Sequence, residues 1–88
     1  MSAGPVIRAT EFGLAVVHSI AADSKETLVV SRGSYLRVSA KIKCVLNKKT
    51  LEDRLGYAVT FPVDLELVMP SYSGRMIFSP DRVEWLDC

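Results

Sequence analysis

Eighty-eight residues, 49% of them apolar and 24% charged, make one small globular domain with room for a single core and exclude a disordered chain. Eleven Lys and Arg against ten Asp and Glu leave a net charge of +1, so no global field draws the protein to nucleic acid or an anionic membrane. Met1-Ser2-Ala3-Gly4-Pro5 lacks the basic and apolar regions of a secretory signal, and no uncharged stretch reaches the roughly 18 to 20 residues of a membrane span. The expected address is therefore cytoplasmic, with no membrane partner.

In chain order, Met1 to Pro5 reads as a loose leader and Val6-Ile7 as a first edge strand. Residues 10–22 carry two patterns. Phe12, Val16 and Ile20 have helical spacing, with Thr10 placed as an N-cap, whereas Gly13 and the branched Val16, Val17 and Ile20 favour a buried strand. The balance favours strand. Ala22 to Lys25 is a turn, and Thr27 to Ser31 a short strand that Arg32-Gly33-Ser34 returns as an antiparallel hairpin.

The next stretch, Tyr35 to Leu46, alternates without a break. Leu36, Val38, Ala40, Ile42, Cys44 and Leu46 fall on one face, and Tyr35, Arg37, Ser39, Lys41, Lys43 and Val45 on the other. Side chains of a strand alternate between faces, so this predicts one long strand with an apolar side against the core. Residues 48–55 predict a short helix, capped by Asn47 or Thr50, packed through Leu51 and Leu55 and stopped by Gly56.

A second long strand is expected from Tyr57 to Met69. Its apolar face would be Tyr57, Val59, Phe61, Val63, Leu65, Leu67 and Met69, with Asp64 and Glu66 on the other side and Pro62 at an edge or bulge. Pro70 to Gly74 is a loop. Arg75 to Ser79 and Arg82 to Leu86 form two short strands around the turn pair Pro80-Asp81. The fold class is mainly β, a β-rich α+β domain: a small, mostly antiparallel sheet or partly open barrel of five to six strands with one short helix.

Three constellations could carry function. The first is a basic strand face, Tyr35, Arg37, Lys41 and Lys43, flanked by Arg32, Lys48 and Lys49. Cations that follow phosphates and a ring that stacks on a base would suit single-stranded nucleic acid. If Asp64 and Glu66 lie on a neighbouring strand, they neutralise that face and leave an ordinary solvated surface. The second is Cys44 as nucleophile with His18 as base and Asp64 or Asp23 as orienter. Strand alternation turns Cys44 away from Lys43 and towards the core, where it reads as a small buried hydrophobe.

The third is a partner surface built from Tyr72, Arg75, Met76, Phe78, Arg82 and Trp85, residue types enriched at interface centres. Met76 and Phe78 share one face and Val83 and Trp85 another, so core packing competes for them. One histidine, two distant cysteines and dispersed glycines supply neither a metal set nor a phosphate loop, and no cofactor is expected. Cys88 is the last residue and lacks the three residues a prenylation motif needs after it. The expectation is a non-enzymatic interaction or assembly module acting on a protein partner or on itself as a homo-oligomer, with single-stranded nucleic acid as the alternative.

Overall fold

The computed structural model describes residues 2–87, which form in chain order β1 (Gly4–Arg8), α1 (Glu11–Asp23), β2 (Leu28–Arg32), β3 (Tyr35–Ser39), β4 (Lys43–Asn47), α2 (Lys48–Leu55), α3 (Val63–Glu66), β5 (Ser71–Ser73), β6 (Arg75–Phe78) and β7 (Arg82–Leu86). Expectations for Cys88 lie outside the described residues. Two antiparallel sheets result among them, one ordered β2-β3-β1-β5 and the other β4-β7-β6. The β-rich α+β class stands, with its elements redistributed.

Residues 10–22 are helical rather than extended. Thr10 is the N-cap, its Oγ1 accepting from Gly13 N–H at 3.0 Å, and Val16 and Ile20 point into the core. Gly13 suits this helix instead of opposing it. A Cβ there would sit 1.8 Å from the Arg8 carbonyl oxygen, so the missing side chain lets α1 lie directly against β1. Asp23 and Ser24 then tie the helix end down. Asp23 Oδ2 accepts from Asn47 Nδ2 at 2.9 Å and from Thr50 Oγ1 at 2.5 Å, and Ser24 Oγ accepts from Val45 N–H at 2.8 Å.

The expected leader is not loose over its described part. Ala3 pairs with Ala40, and Gly4 and Pro5 are buried in β1, a strand in the interior of its sheet rather than at an edge. The β2–β3 hairpin forms as predicted, with Arg32 opposite Tyr35 and Gly33 at φ 67, the positive angle a two-residue turn needs at its first central position. The β6–β7 hairpin forms where its turn residues place it, and α2 ends at Gly56 as expected, although neither expected N-terminal cap operates: Asn47 makes no side-chain cap bond, and both it and Thr50 donate to Asp23 instead.

The long strand Tyr35 to Leu46 is in fact two strands in different sheets. It bends at Lys41 and Ile42, leaving Ile42 79% exposed, while Val38, Ala40, Cys44 and Leu46 stay buried. Both sheets wrap one core, so the alternation keeps its phase across the corner and only the residue at the bend is expelled.

Residues 57–69 are not a strand. Phe61, Leu65 and Val68 are buried at spacings of four and three, the repeat of the short helix α3 and its flanks; Val59 is buried as expected, while Tyr57, Val63 and Leu67 are exposed. Asp64 Oδ2 accepts from Thr60 N–H at 2.9 Å, and Val68 O accepts from Arg8 N–H at 2.8 Å, so this segment's backbone is satisfied outside any ladder. The residues under both sheets, including Ile7, Val38, Leu46, Val83 and Trp85, join those of α1, Leu51 and Leu65 in one cluster.

Candidate functional site

The register of the four-stranded sheet decides which side chains share its outer face. Arg8 and Arg32 both stand opposite Tyr35, forming a row across β2, β3 and β1, and Val30, Arg37, Val6 and Ser71 form the row beside it. Facing partners of an antiparallel pair project to the same side, so Arg8, Arg32 and Arg37 share one surface with Tyr35, Val6 and Val30 between them. All three arginines are exposed. The Arg8 guanidinium lies 5.6 Å from the centre of the Tyr35 ring, and Arg37 Nη2 donates to Ser73 Oγ at 3.4 Å. Among the described residues none of the three forms an ion pair, and none of the chain's carboxylates lies on these four strands.

The outer face of the three-stranded sheet is different. Glu84 Oε2 lies 2.7 Å from Arg82 Nη2 and 3.5 Å from Lys43 Nζ, so one carboxylate serves two cations. This corrects the expected neutralisation by Asp64 and Glu66, which sit on α3 rather than on a neighbouring strand. It also divides the expected nucleic-acid face. Tyr35 and Arg37 lie on one sheet, Lys41 on the bend and Lys43 on the other sheet beside Glu84, while the Tyr35 ring is already occupied by Arg8. The alternation placed Tyr35 and Arg37 together but could not bring in Arg8 and Arg32, whose positions depend on strand pairing.

The C-terminal set divides as well. Trp85 is fully buried and Met76 packs half-buried against the same core, whereas Tyr72 and Phe78 are 46% and 52% exposed. Arg75 and Arg82 lie on the opposite side of their sheet from Trp85. A small cleft of about 310 Å³ opens between Phe12, Tyr57, Leu67 and Val68, with Asp64 at its edge. The strand expected for residues 57–69 hid Tyr57 and Leu67 in the core; the spacing of Phe61, Leu65 and Val68 was the signal that they are exposed.

The cysteine constellation does not assemble. Cys44 is buried and donates to Ala3 O at 3.3 Å, and burial pushes its thiol up to about 11, so it is protonated at neutral pH. His18 is on an exposed position of α1, and Asp23 is engaged with Asn47 and Thr50.

Residues 1–86 match the MmoB/DmpM family. The chain is 36% identical over 84 residues to the effector subunit of the alkene monooxygenase system of Xanthobacter autotrophicus, covering 93% of this chain and 82% of that protein. Chains in two structures of a phenol hydroxylase–regulatory protein complex superpose with TM-scores of 0.89 and 0.86, covering 98% of this chain and 98% and 99% of theirs. Each is 15% identical to this one, a likeness of fold.

Proposed function

This chain belongs to the MmoB/DmpM family, and we propose that it is the effector subunit of a monooxygenase system, binding that system's hydroxylase component and altering its turnover while performing no chemistry itself. It is a non-enzymatic module that acts through protein–protein contact, and the nucleic-acid reading is set aside. The observation that carries the proposal is the 36% identity, over 93% of the chain, to an alkene monooxygenase effector subunit. The fold agrees with this role: Cys44 is buried and protonated at neutral pH, while the outer face of the four-stranded sheet presents three arginines without an ion-pair partner among the described residues.

The test adds purified protein to a hydroxylase component of the alkene monooxygenase type together with its reductase. Turnover that changes with added protein and saturates, with no turnover by the protein alone, is the expected result. Unchanged turnover together with no complex by gel filtration would overturn the proposal.

Two narrower readings accompany it. We place the protein in the cytosol, where a buried thiol such as Cys44 stays reduced, and cell fractionation checks this. Self-association has room at β2, an edge strand whose Leu28 and Val29 are exposed, and a sedimentation mass that rises above 9.7 kDa with concentration would support it.

A further inference from the structure

We infer that the outer face of the four-stranded sheet, built from Arg8, Arg32, Arg37 and Tyr35 with Val6 and Val30 between them, docks on a carboxylate-rich patch of the hydroxylase component. This rests on the effector role proposed above and names the surface that performs it. Three observations carry it.

The first is the missing counter-charge. Lys43 and Arg82 on the other sheet share Glu84, and Lys49 on α2 faces Asp53, yet Arg8, Arg32 and Arg37 have no carboxylate within 4.0 Å among the described residues. A guanidinium presents a planar fork that fits a carboxylate by two parallel hydrogen bonds, so an acidic protein surface is the chemistry these groups lack.

The second is the shape and composition of the face. Arginine and tyrosine are the types that carry interface energy, and here they stand on paired strands with half-buried valines between them. Arg8 already rests over the Tyr35 ring and Arg37 reaches Ser73, so less side-chain freedom is lost on binding than for free lysines.

The third is orientation. The whole chain has a net charge of +1, so three cations on one face leave the rest of the protein net negative. Such a molecule turns this sheet towards an acidic partner as it approaches.

The experiment titrates fluorescently labelled protein with the hydroxylase component at low and at moderate salt. R32E/R37E is compared with R54E/K25E, which reverses two exposed cations off this face. Affinity should fall about a hundredfold or more for R32E/R37E, and the remaining binding should depend less on salt, while R54E/K25E stays near wild type. R32Q/R37Q, which keeps polar side chains at both positions, should show the same direction with a smaller loss if the double reversal fails to fold. Wild-type affinity in R32Q/R37Q or R32E/R37E, or equal weakening in R54E/K25E, overturns the assignment of this face and leaves the effector role standing. A wild-type protein that fails to bind the hydroxylase at all overturns the effector role, and this inference with it.

Discussion

On the three-stranded sheet one carboxylate, Glu84, lies between Lys43 and Arg82, whereas on the four-stranded sheet three arginines share an outer face with no carboxylate within 4.0 Å among the described residues. Both sheets are antiparallel, and both turn their other side to the same core. What separates them is register. In the smaller sheet Glu84 falls opposite Val45 and Ile77, with Lys43 and Arg82 in the rows on either side, while in the larger one the position between Arg8 and Arg32 is held by Tyr35. Lys43 meets its carboxylate only because strand pairing puts Glu84 beside it, whereas Arg82 finds the same carboxylate two positions along its own strand.

The comparison can be broken most severely from beneath. Trp85 is fully buried on the core side of the three-stranded sheet, so Trp85→Ala should cost about 3–5 kcal/mol, read from the midpoint of a urea transition. A cost under about 1 kcal/mol would mean the core is not anchored there.

Cys44 lies on the same hidden side, paired with Trp85. In a Cys88→Ser background its thiol should alkylate far more slowly at neutral pH than a free cysteine, because a pKa of about 11 in place of 9.0 leaves about a hundredfold less thiolate. The folded state holds this proton where the unfolded chain has begun to release it. Stability from this source is therefore full below pH 9.0 and declines as pH rises towards about 11. Cys44→Ala should lack that part of the alkaline decline in a denaturation series.

A smaller effect is expected at Ser19, a buried polar residue of α1 whose Oγ has no hydrogen-bond partner among the described residues. Ser19→Ala removes a hydroxyl that folding desolvates without return and should raise stability by about 1 kcal/mol in the same transition.

The smallest change sharpens the contrast between the faces. Glu84→Gln releases Lys43 and Arg82 at the surface and should cost no more than about 1 kcal/mol, with affinity for the hydroxylase component near wild type. If it altered that affinity as much as R32E/R37E, the two faces would not differ in role.

Much of the fold was legible where neighbours in sequence decide structure. The β2–β3 and β6–β7 hairpins and α2 follow from Gly33, Pro80-Asp81 and Gly56, residues whose backbone preferences act within a few positions. At residues 10–22 and 57–69 local pattern and structure differ for a common reason. Gly13 opposes helix by propensity, and its use lies in the approach of α1 to β1, which no local pattern records. The apolar residues of 57–69 alternate, yet the core accepts Val59, Phe61, Leu65 and Val68 and leaves Tyr57, Val63 and Leu67 exposed, and Thr60, Asp64 and Arg8 satisfy the backbone in place of a partner strand.

The docking face was half legible. Alternation put Tyr35 and Arg37 on one side, but it added Lys41 and Lys43, which the bend at Ile42 carries away, and it could not supply Arg8 and Arg32.

By itself, the chain's order of residues determined a small β-rich domain with near-neutral charge, its two tight hairpins and a capped helix at 48–55, because those depend on backbone preferences and on apolar content. Only the tertiary structure decided that the long alternating stretch spans two sheets, that α1 is a helix, and which cations keep a counter-ion. Apart from the local pairs Lys49–Asp53 and Arg82–Glu84, those outcomes depend on contacts between segments far apart in the chain, and free energy from packing and register outweighs the local preferences that sequence patterns express.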